Sequence, residues 1–173
     1  DYINEIKAVS IAYGGSMSLD AVGILDELRN KPELDFHDLK GLSNEEKYEL
    51  RRKSLLADLY LTSTNALTAD GHLVNLDCIG NRVGALTFGP KNVLVVVGRN
   101  KIVPDMDEAY SRIKQYAAPA NAARLGKKTP CAKTAKCMDC KSPERICRIW
   151  SIVERSFPKH RIKIILINED LGL

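Results

Sequence analysis

The hydrophobic pattern of the first thirty residues predicts a strand, a glycine turn and a helix. Residues 7–13 form a mainly apolar run of strand length, and Gly14, Gly15 and Ser16 end it. Ser18 has the position of a helix N-cap. The apolar residues that follow at helical spacing are Leu19, Val22, Leu25 and Leu28.

Strand and helix patterns continue to alternate, and the clearest strand covers residues 92–97, whose apolar run is typical of a parallel sheet buried on both faces. Weaker strand patterns cover residues 59–61, 66–68, 72–76, 149–153 and 161–167, and helical patterns cover 80–88, 105–116 and 119–125. Turns around Asp70 and Pro158 predict two antiparallel hairpins. The pattern therefore predicts an α/β fold with a mixed, mainly parallel sheet flanked by helices and the 92–97 strand at its centre.

Composition places the chain among globular proteins. Its 173 residues suit one domain over residues 1–173, and 45% are hydrophobic against 28% charged. No apolar run approaches the roughly 20 residues of a membrane helix, and no secretory signal opens the chain. We therefore expect a cytoplasmic protein without membrane insertion.

The charge is uneven, although the net formal charge is only +4. Residues 119–149 hold eight basic and two acidic side chains, a net charge of +6, and the rest of the chain carries −2. With only three Phe and one Trp in the chain, no aromatic platform accompanies the cations, so we do not expect a nucleic-acid partner.

The same segment contains a cysteine-rich loop, residues 126–147, with the spacing Cys131-x5-Cys137-x2-Cys140-x6-Cys147. Four soft ligands so close in sequence predict one metal centre, and the spacing fits zinc and an iron–sulfur cluster equally. Disulfides or free thiols are the alternative, although disulfides are disfavoured without a secretion signal. Because the loop has few apolar residues, we expect a bound ion to supply its order.

Polar and glycine-rich loops follow several predicted strands. In parallel sheets these carboxyl ends meet at one edge, where ligands bind. We therefore expect one cleft for a small anionic metabolite. Its candidate residues are Gly14, Gly15, Ser16, Thr64, Asn65, Asp77, Asn81, Arg82, Asn100, Lys101 and Glu169.

Each of these loops has a plainer interpretation. The two glycines also fit a simple tight turn, and Asp77 and Asn81 can cap a helix rather than pair with Arg82. Lys101 can belong to a solvated loop, and Glu169 is either a general base or part of a charged tail. No hydrolase elbow, Walker loop or dinucleotide fingerprint is present, so the sequence leaves open whether the protein is an enzyme.

Four motifs together resemble the lactate-utilisation (LUD) domain family: GGSMSL at 14–19, TNALTADG at 64–71, DCIGNRV at 77–83 and GRNKIV at 98–103. The cysteine loop and the ending NEDLG resemble a subgroup of uncharacterised bacterial members. The resemblance implies a fold like that of CoA transferases, ribose-5-phosphate isomerase and glucosamine-6-phosphate deaminase, here without an N-terminal helical segment. The glutamate nucleophile of CoA transferases has no counterpart motif.

The resemblance also implies redox metabolism of lactate or related small organic acids, with iron–sulfur oxidoreductase subunits as partners and a homodimer as a candidate assembly. Two functions follow. In the first, a four-cysteine metal centre works beside an anion-binding cleft. In the second, the protein is an enzyme or binder for a phosphorylated or carboxylated small molecule, and the cysteine cluster is purely structural.

Overall fold

The computed structural model describes residues 2–173. Its α-helices are α1 (Tyr2–Glu5), α2 (Met17–Ala21), α3 (Ile24–Arg29), α4 (Asn44–Lys53), α5 (Asn81–Thr87), α6 (Met106–Arg112), α7 (Ala118–Arg124) and α8 (Pro130–Thr134). Its strands are β1 (Ser10–Tyr13), β2 (Asp35–Phe36), β3 (Leu59–Thr62), β4 (Ala66–Thr68), β5 (Leu73–Asp77), β6 (Asn92–Gly98), β7 (Ile102–Val103), β8 (Ile149–Val153) and β9 (Ile162–Ile167). Within residues 2–173, every helix is too short or too polar to cross a membrane.

Nine strands form two sheets in the part of the chain that the structure describes. Five make a fully parallel sheet in the order β2-β1-β3-β6-β9, and four make a mixed sheet in the order β7-β4-β5-β8. The predicted α/β fold with mainly parallel pairing is confirmed, and it is consistent with the CoA-transferase-like fold that the resemblance implies. The strand predicted at 92–97 is β6, which lies inside the sheet, although β3 occupies the middle position.

One of the two predicted hairpins is wrong. β4 and β5 do pair antiparallel around Asp70. β8 and β9, however, lie in different sheets, where β8 pairs with β5 and β9 runs parallel to β6. The buried Arg161 between them donates to the carbonyls of Ala85, Leu86 and Pro90, so the chain is held at the end of α5 and enters β9 on the far sheet.

Alternating side chains of the parallel sheet enter two separate cores. On one face, Ile11, Leu59 and Val96 pack with α2 and α3. On the other face, Tyr60 and Val95 pack with α5 and with Leu67 and Leu73 of the mixed sheet. A third core lies on the outer side of the mixed sheet, against α6. The inner strands β1, β3 and β6 are therefore covered on both faces, as their apolar residues require, whereas the edge strand β9 leaves Ile164, Ile165 and Leu166 exposed.

The first predicted helix is divided into two short ones. Gly23, with a φ of 72°, separates α2 from α3, and the N-cap of α2 is Ser16 rather than Ser18. Ser18 instead lies buried, and its hydroxyl donates to the carbonyl of Leu171 at 3.0 Å. This bond ties α2 to the chain beyond β9.

Gly98, at the end of β6, allows two loops to pass very closely. The backbone N–H of Arg99 donates to the carbonyl of Glu169, and Asn100 bonds the backbone of Leu171 and Gly172. A Cβ at position 98 would lie 2.6 Å from the nitrogen of Leu171 and 2.8 Å from the carbonyl oxygen of Glu169. No side chain fits there unless the backbone moves.

We expect Gly98→Ala to destabilise the protein. Overpacking against fixed backbone costs about 1–3 kcal/mol, which urea denaturation measures as a lower free energy of unfolding. Gly15→Ala is the matched control, because nothing lies within 4 Å of a Cβ at that position. Equal losses in the two variants would contradict the close approach at Gly98.

Candidate functional site

A cleft of about 580 Å³ opens at the carboxyl edge of the parallel sheet. We call it the strand-end cleft. Eight of the eleven candidate residues from the sequence line it: Gly15, Ser16, Thr64, Asn65, Asp77, Asn81, Arg82 and Lys101. Parallel pairing of β1, β3 and β6 accounts for this, because their ends lie at one edge.

The other three candidates do not line the cleft. Gly14 lies beneath it, where its backbone N–H extends the ladder to Leu61. The side chain of Asn100 holds the backbone of Leu171 and Gly172. Glu169 is exposed, and its carbonyl accepts from Arg99. Gly14 therefore extends the sheet, Asn100 anchors the backbone of the C-terminal residues, and Glu169 lies outside the cleft lining.

Lys101 is the most unusual residue of the cleft. Its side chain is only 4% exposed, and its Nζ donates to Ser18 Oγ at 2.9 Å and to Ser63 Oγ at 3.0 Å. The nearby charged side chains are the guanidinium groups of Arg112 and Arg82, and no carboxylate pairs with Lys101 within residues 2–173. The plainer alternative, a solvated loop, therefore does not hold for this side chain.

This environment favours the neutral amine. Burial first, and then the charges of Arg112 and Arg82, lower the pKa of Lys101 from 10.5 to about 7. An ammonium group and a free amine are then both populated near neutral pH. Groups of this kind, buried in a cleft and strongly shifted, are typical of functional sites.

Arg82 acts mainly as a structural hub. Its guanidinium donates to the side chains of Asn65 and Asn75 and to the carbonyls of Ser63 and Leu76. Its Nε lies 3.5 Å from Asp77 Oδ1. Because the protein itself occupies these donors, Arg82 contributes charge to the cleft more than free hydrogen bonds.

Asp77 both caps a helix and pairs with Arg82, so the two interpretations from the sequence hold together. Its Oδ2 accepts from the backbone N–H of Arg82 in the first turn of α5, and its Oδ1 pairs with the Arg82 side chain. Asn81 does not cap the helix; Gly80 is the N-cap residue, and Asn81 Nδ2 lies 3.4 Å from the Tyr60 hydroxyl. Arg82 can cross the end of β1 because residue 14 is glycine: a Cβ there would lie 2.6 Å from Arg82 Cγ.

Several cleft residues escape the sequence analysis. Ser63, which lines the cleft, and the buried Ser18 hold Lys101, and four further cations line the cleft: Lys47, Arg51, Arg124 and Lys127. The sequence did carry a signal for the cations, since α4 ends in a basic run and residues 119–149 are strongly basic. It carried none for the serines, which are ordinary residues until the fold brings them to the amine.

The four cysteines of residues 126–147 line a second, small cavity of about 10 Å³. We call it the cysteine cavity. Its other lining residues are Lys114, Ala118, Pro119, Ala122, Thr129, Arg145 and Ile146. Thr129 Oγ1 lies 3.3 Å from Cys131 Sγ, and the backbone N–H of Asp139 donates to Cys137 Sγ. The fold therefore gathers all four thiols around one space.

The thiols are free, and they are not positioned as ligands. Cys131, Cys137, Cys140 and Cys147 form no disulfide. Across residues 2–173, no three Cys, His, Asp or Glu side chains are arranged to hold a metal ion. The four-cysteine metal centre stays a prediction.

Protein contacts also order the cysteine loop. Arg145 donates to the carbonyl of Cys140 at 2.7 Å and to that of Cys147 at 3.0 Å. Asp139 pairs with Lys114 of the π-helical stretch Ile113–Ala117. Part of the order that the sequence analysis assigned to a bound ion therefore comes from Arg145 and Asp139.

The cysteine cavity and the strand-end cleft are neighbours. Ala118, Ile146 and Cys147 line both. In the π-helical stretch, Ile113 and Ala117 line the cleft, whereas Lys114 lines the cysteine cavity. This stretch is thus a common wall, and π-helical turns within helices occur frequently at functional sites.

The comparison with family models confirms the family resemblance. The model of the LUD domain family matches residues 1–167. A solved structure, that of a DUF162 family protein from Deinococcus radiodurans, is 19% identical to the chain, with a TM-score of 0.40. That alignment covers 95% of this chain and 90% of the other. No curated protein matches the chain significantly.

Lys101 is expected to make stability depend on pH. The unfolded chain binds its proton with the ordinary pKa of 10.5, and the folded chain with a pKa of about 7. Between these values the unfolded state holds more protons, so this group makes the free energy of unfolding rise with pH. Urea denaturation at about pH 7 and about pH 9 measures the rise.

Lys101→Met should remove this part of the pH dependence. The exposed Lys159→Met is the matched control and should keep it. If the parent and Lys101→Met gain the same stability between the two pH values, the buried amine is not shifted as described.

Proposed function

Because the chain belongs to the LUD domain family, we propose that it binds a small anionic metabolite of lactate or related organic-acid metabolism in the strand-end cleft. The ligand carries a carboxylate or a phosphate, and Lys101 is its central contact. The family name supports the link to small organic acids. The chemistry of the cleft supports the anion.

The charge of the lining carries this proposal. The strand-end cleft has six basic side chains and a single acidic one, Asp77. The basic residues are Lys47, Arg51, Arg82, Lys101, Arg124 and Lys127. Asp77 is already paired with Arg82, so the remaining cations produce a positive field that an anionic ligand would neutralise.

The basic residues of the cleft lie at different depths, and this supports a ligand with two distinct ends. Lys101 is buried, whereas Arg124 at the end of α7 is exposed and Lys127 beyond it is half-buried. Ser16, Thr64 and Asn65 add polar groups to the lining. We propose that the small reactive end of the ligand lies near Lys101 and that a second polar or anionic end contacts the outer cations.

We further propose that the four cysteines bind a metal beside the cleft. Their chemistry fits: four soft sulfur donors surround one space, and Lys114 and Arg145 offset the thiolate charge. Binding requires the sulfur atoms to move closer than they are, since no three are placed as ligands among residues 2–173. A cavity of about 10 Å³ holds roughly one water-sized group, which favours a single zinc ion over a cluster.

The two metals would supply different chemistry. Zinc would order residues 126–147, and an iron–sulfur cluster would add an electron carrier next to the ligand. The redox role, with iron–sulfur oxidoreductase subunits as partners, depends on the second case. The purely structural cysteine cluster is the second candidate function, and the contacts of Arg145 with the Cys140 and Cys147 carbonyls favour it.

Anion binding is tested by calorimetry with lactate, pyruvate, inorganic phosphate and glycerol 3-phosphate. We expect heat of binding that weakens with added salt, because cations that water partly reaches contribute to binding. Lys101→Met and the double variant Arg124→Met with Lys127→Met should each bind at least about tenfold more weakly, because each loses one or more hydrogen bonds to the charged anion. Lys159→Met changes an exposed residue outside the lining of the cleft, and this variant should bind like the parent. Absence of binding to every anion would refute the proposal.

The metal centre is tested on protein purified without oxygen. Metal analysis should find about one equivalent of zinc per chain if the cysteine cavity holds a single ion. Cys137→Ser and Cys140→Ser should lose it, whereas Cys78→Ser, the cysteine outside the loop, should not. Iron with visible absorption would support the redox role instead. A parent protein without metal, whose loop is unaffected by Cys137→Ser, would leave the cluster purely structural.

A further inference from the structure

The hydrogen bonds around Lys101 determine which form of the amine they satisfy. Ser18 Oγ donates its proton to the carbonyl of Leu171, and Ser63 Oγ donates to the carbonyl of Thr64. Each hydroxyl has one proton, so both serine oxygens act as acceptors toward Nζ. Two acceptors are therefore fixed at this nitrogen.

A neutral amine matches this arrangement. It has two N–H donors, which the two serines accept, and one lone pair, which is left without a partner. An ammonium group would instead have a third N–H donor. Within residues 2–173, Nζ forms hydrogen bonds with these two serines alone, so the third donor would have no acceptor. Because an unmatched buried donor is costly, the geometry favours the amine with a free lone pair.

The surroundings of Lys101 differ from those of the other paired lysines. Lys91, for example, is exposed and forms an ion pair with Asp58 at 2.7 Å. Lys101 is buried in the wall of a cleft beside two guanidinium groups, those of Arg82 and Arg112, and its pKa of about 7 agrees with the donor count. Lysines made nucleophilic in proteins have these two features, burial and a neighbouring cation.

We propose that Lys101 is a nucleophile that forms an imine with an anionic carbonyl compound, a 2-oxo acid or a phosphorylated aldehyde or ketone, bound in the strand-end cleft. This inference rests on the proposed anion-binding function and adds a covalent step to it. The surrounding cations select the anionic group of the ligand. The lone pair of Nζ reacts with an electrophilic carbonyl carbon of the ligand.

The step is balanced without any further reactant. The Nζ lone pair attacks the carbonyl carbon, a C–N bond forms, and the carbonyl oxygen takes up a proton to give a carbinolamine. Loss of that hydroxyl with the remaining amine proton releases one water and leaves a C=N bond. Both hydrogens of the neutral amine depart in the water, and nothing is oxidised or reduced.

The test is reductive trapping of the parent protein. The protein is incubated with pyruvate or with dihydroxyacetone phosphate, sodium borohydride is added, and intact mass spectrometry followed by peptide mapping locates the adduct. We expect one adduct per chain, on Lys101. Inorganic phosphate and lactate have no aldehyde or ketone carbon that can form an imine, so they should compete for the site and reduce the amount of adduct.

The pH profile and two variants give independent readouts. Trapping at Lys101 should reach half its maximum near pH 7, whereas an exposed lysine reacts only as the pH approaches 10.5. Lys101→Met should lose the adduct, and Lys159→Met should keep it. Ser63→Ala removes one acceptor of Nζ and should shift the half-maximum of the profile without moving the adduct to another residue.

Each outcome separates this inference from the proposed function. Binding of the anions without an adduct on Lys101 would overturn the imine and leave the anion site standing. Adducts spread over several surface lysines would overturn it as well. If the protein neither binds the anions nor forms an adduct, both proposals fail.

Discussion

Parallel pairing of β6 between β3 and β9 is the constraint on which the rest of this molecule depends. It places the carboxyl ends of β3, β6 and β9 at one edge, and the loops that follow have to share that edge. The close contact at Gly98 then lets residues 169–172 pass over the end of β6. The hydrogen bond from the Ser18 hydroxyl to the carbonyl of Leu171 joins these residues to α2, so the end of β6, the chain after β9 and α2 are tied together.

The cleft derives its chemistry from an electrostatic imbalance that the fold maintains. A buried cation without a carboxylate is unfavourable, and Lys101 avoids this by giving up its proton more readily than an exposed lysine does. The two serines stabilise the amine without adding negative charge, so the attraction for an anionic ligand is not cancelled from within. Asp77 is neutralised by Arg82, which leaves the remaining cations available.

The cysteine loop joins this system through a shared wall. The π-helical stretch presents Ile113 and Ala117 to the strand-end cleft and Lys114 to the cysteine cavity, and Cys147 lines both spaces. A change that draws the four sulfur atoms together would therefore act on residues that also line the strand-end cleft. This adjacency gives the proposed metal centre and the proposed anion site a physical connection, whether the cluster is structural or redox-active.

The sequence by itself determined the α/β class, most helices and strands, and eight residues of the cleft, because buried strands and the loops after them are local patterns. The tertiary structure alone decided which strands pair. The sequence predicts a hairpin of β8 and β9, but the apolar pattern of a strand does not specify which strand it pairs with. It also decided what each polar side chain does. Arg82 became a hub, Asn100 a backbone anchor and Lys101 a buried amine, because hydrogen-bond partners such as Ser18 and Ser63 lie 83 and 38 residues away along the chain.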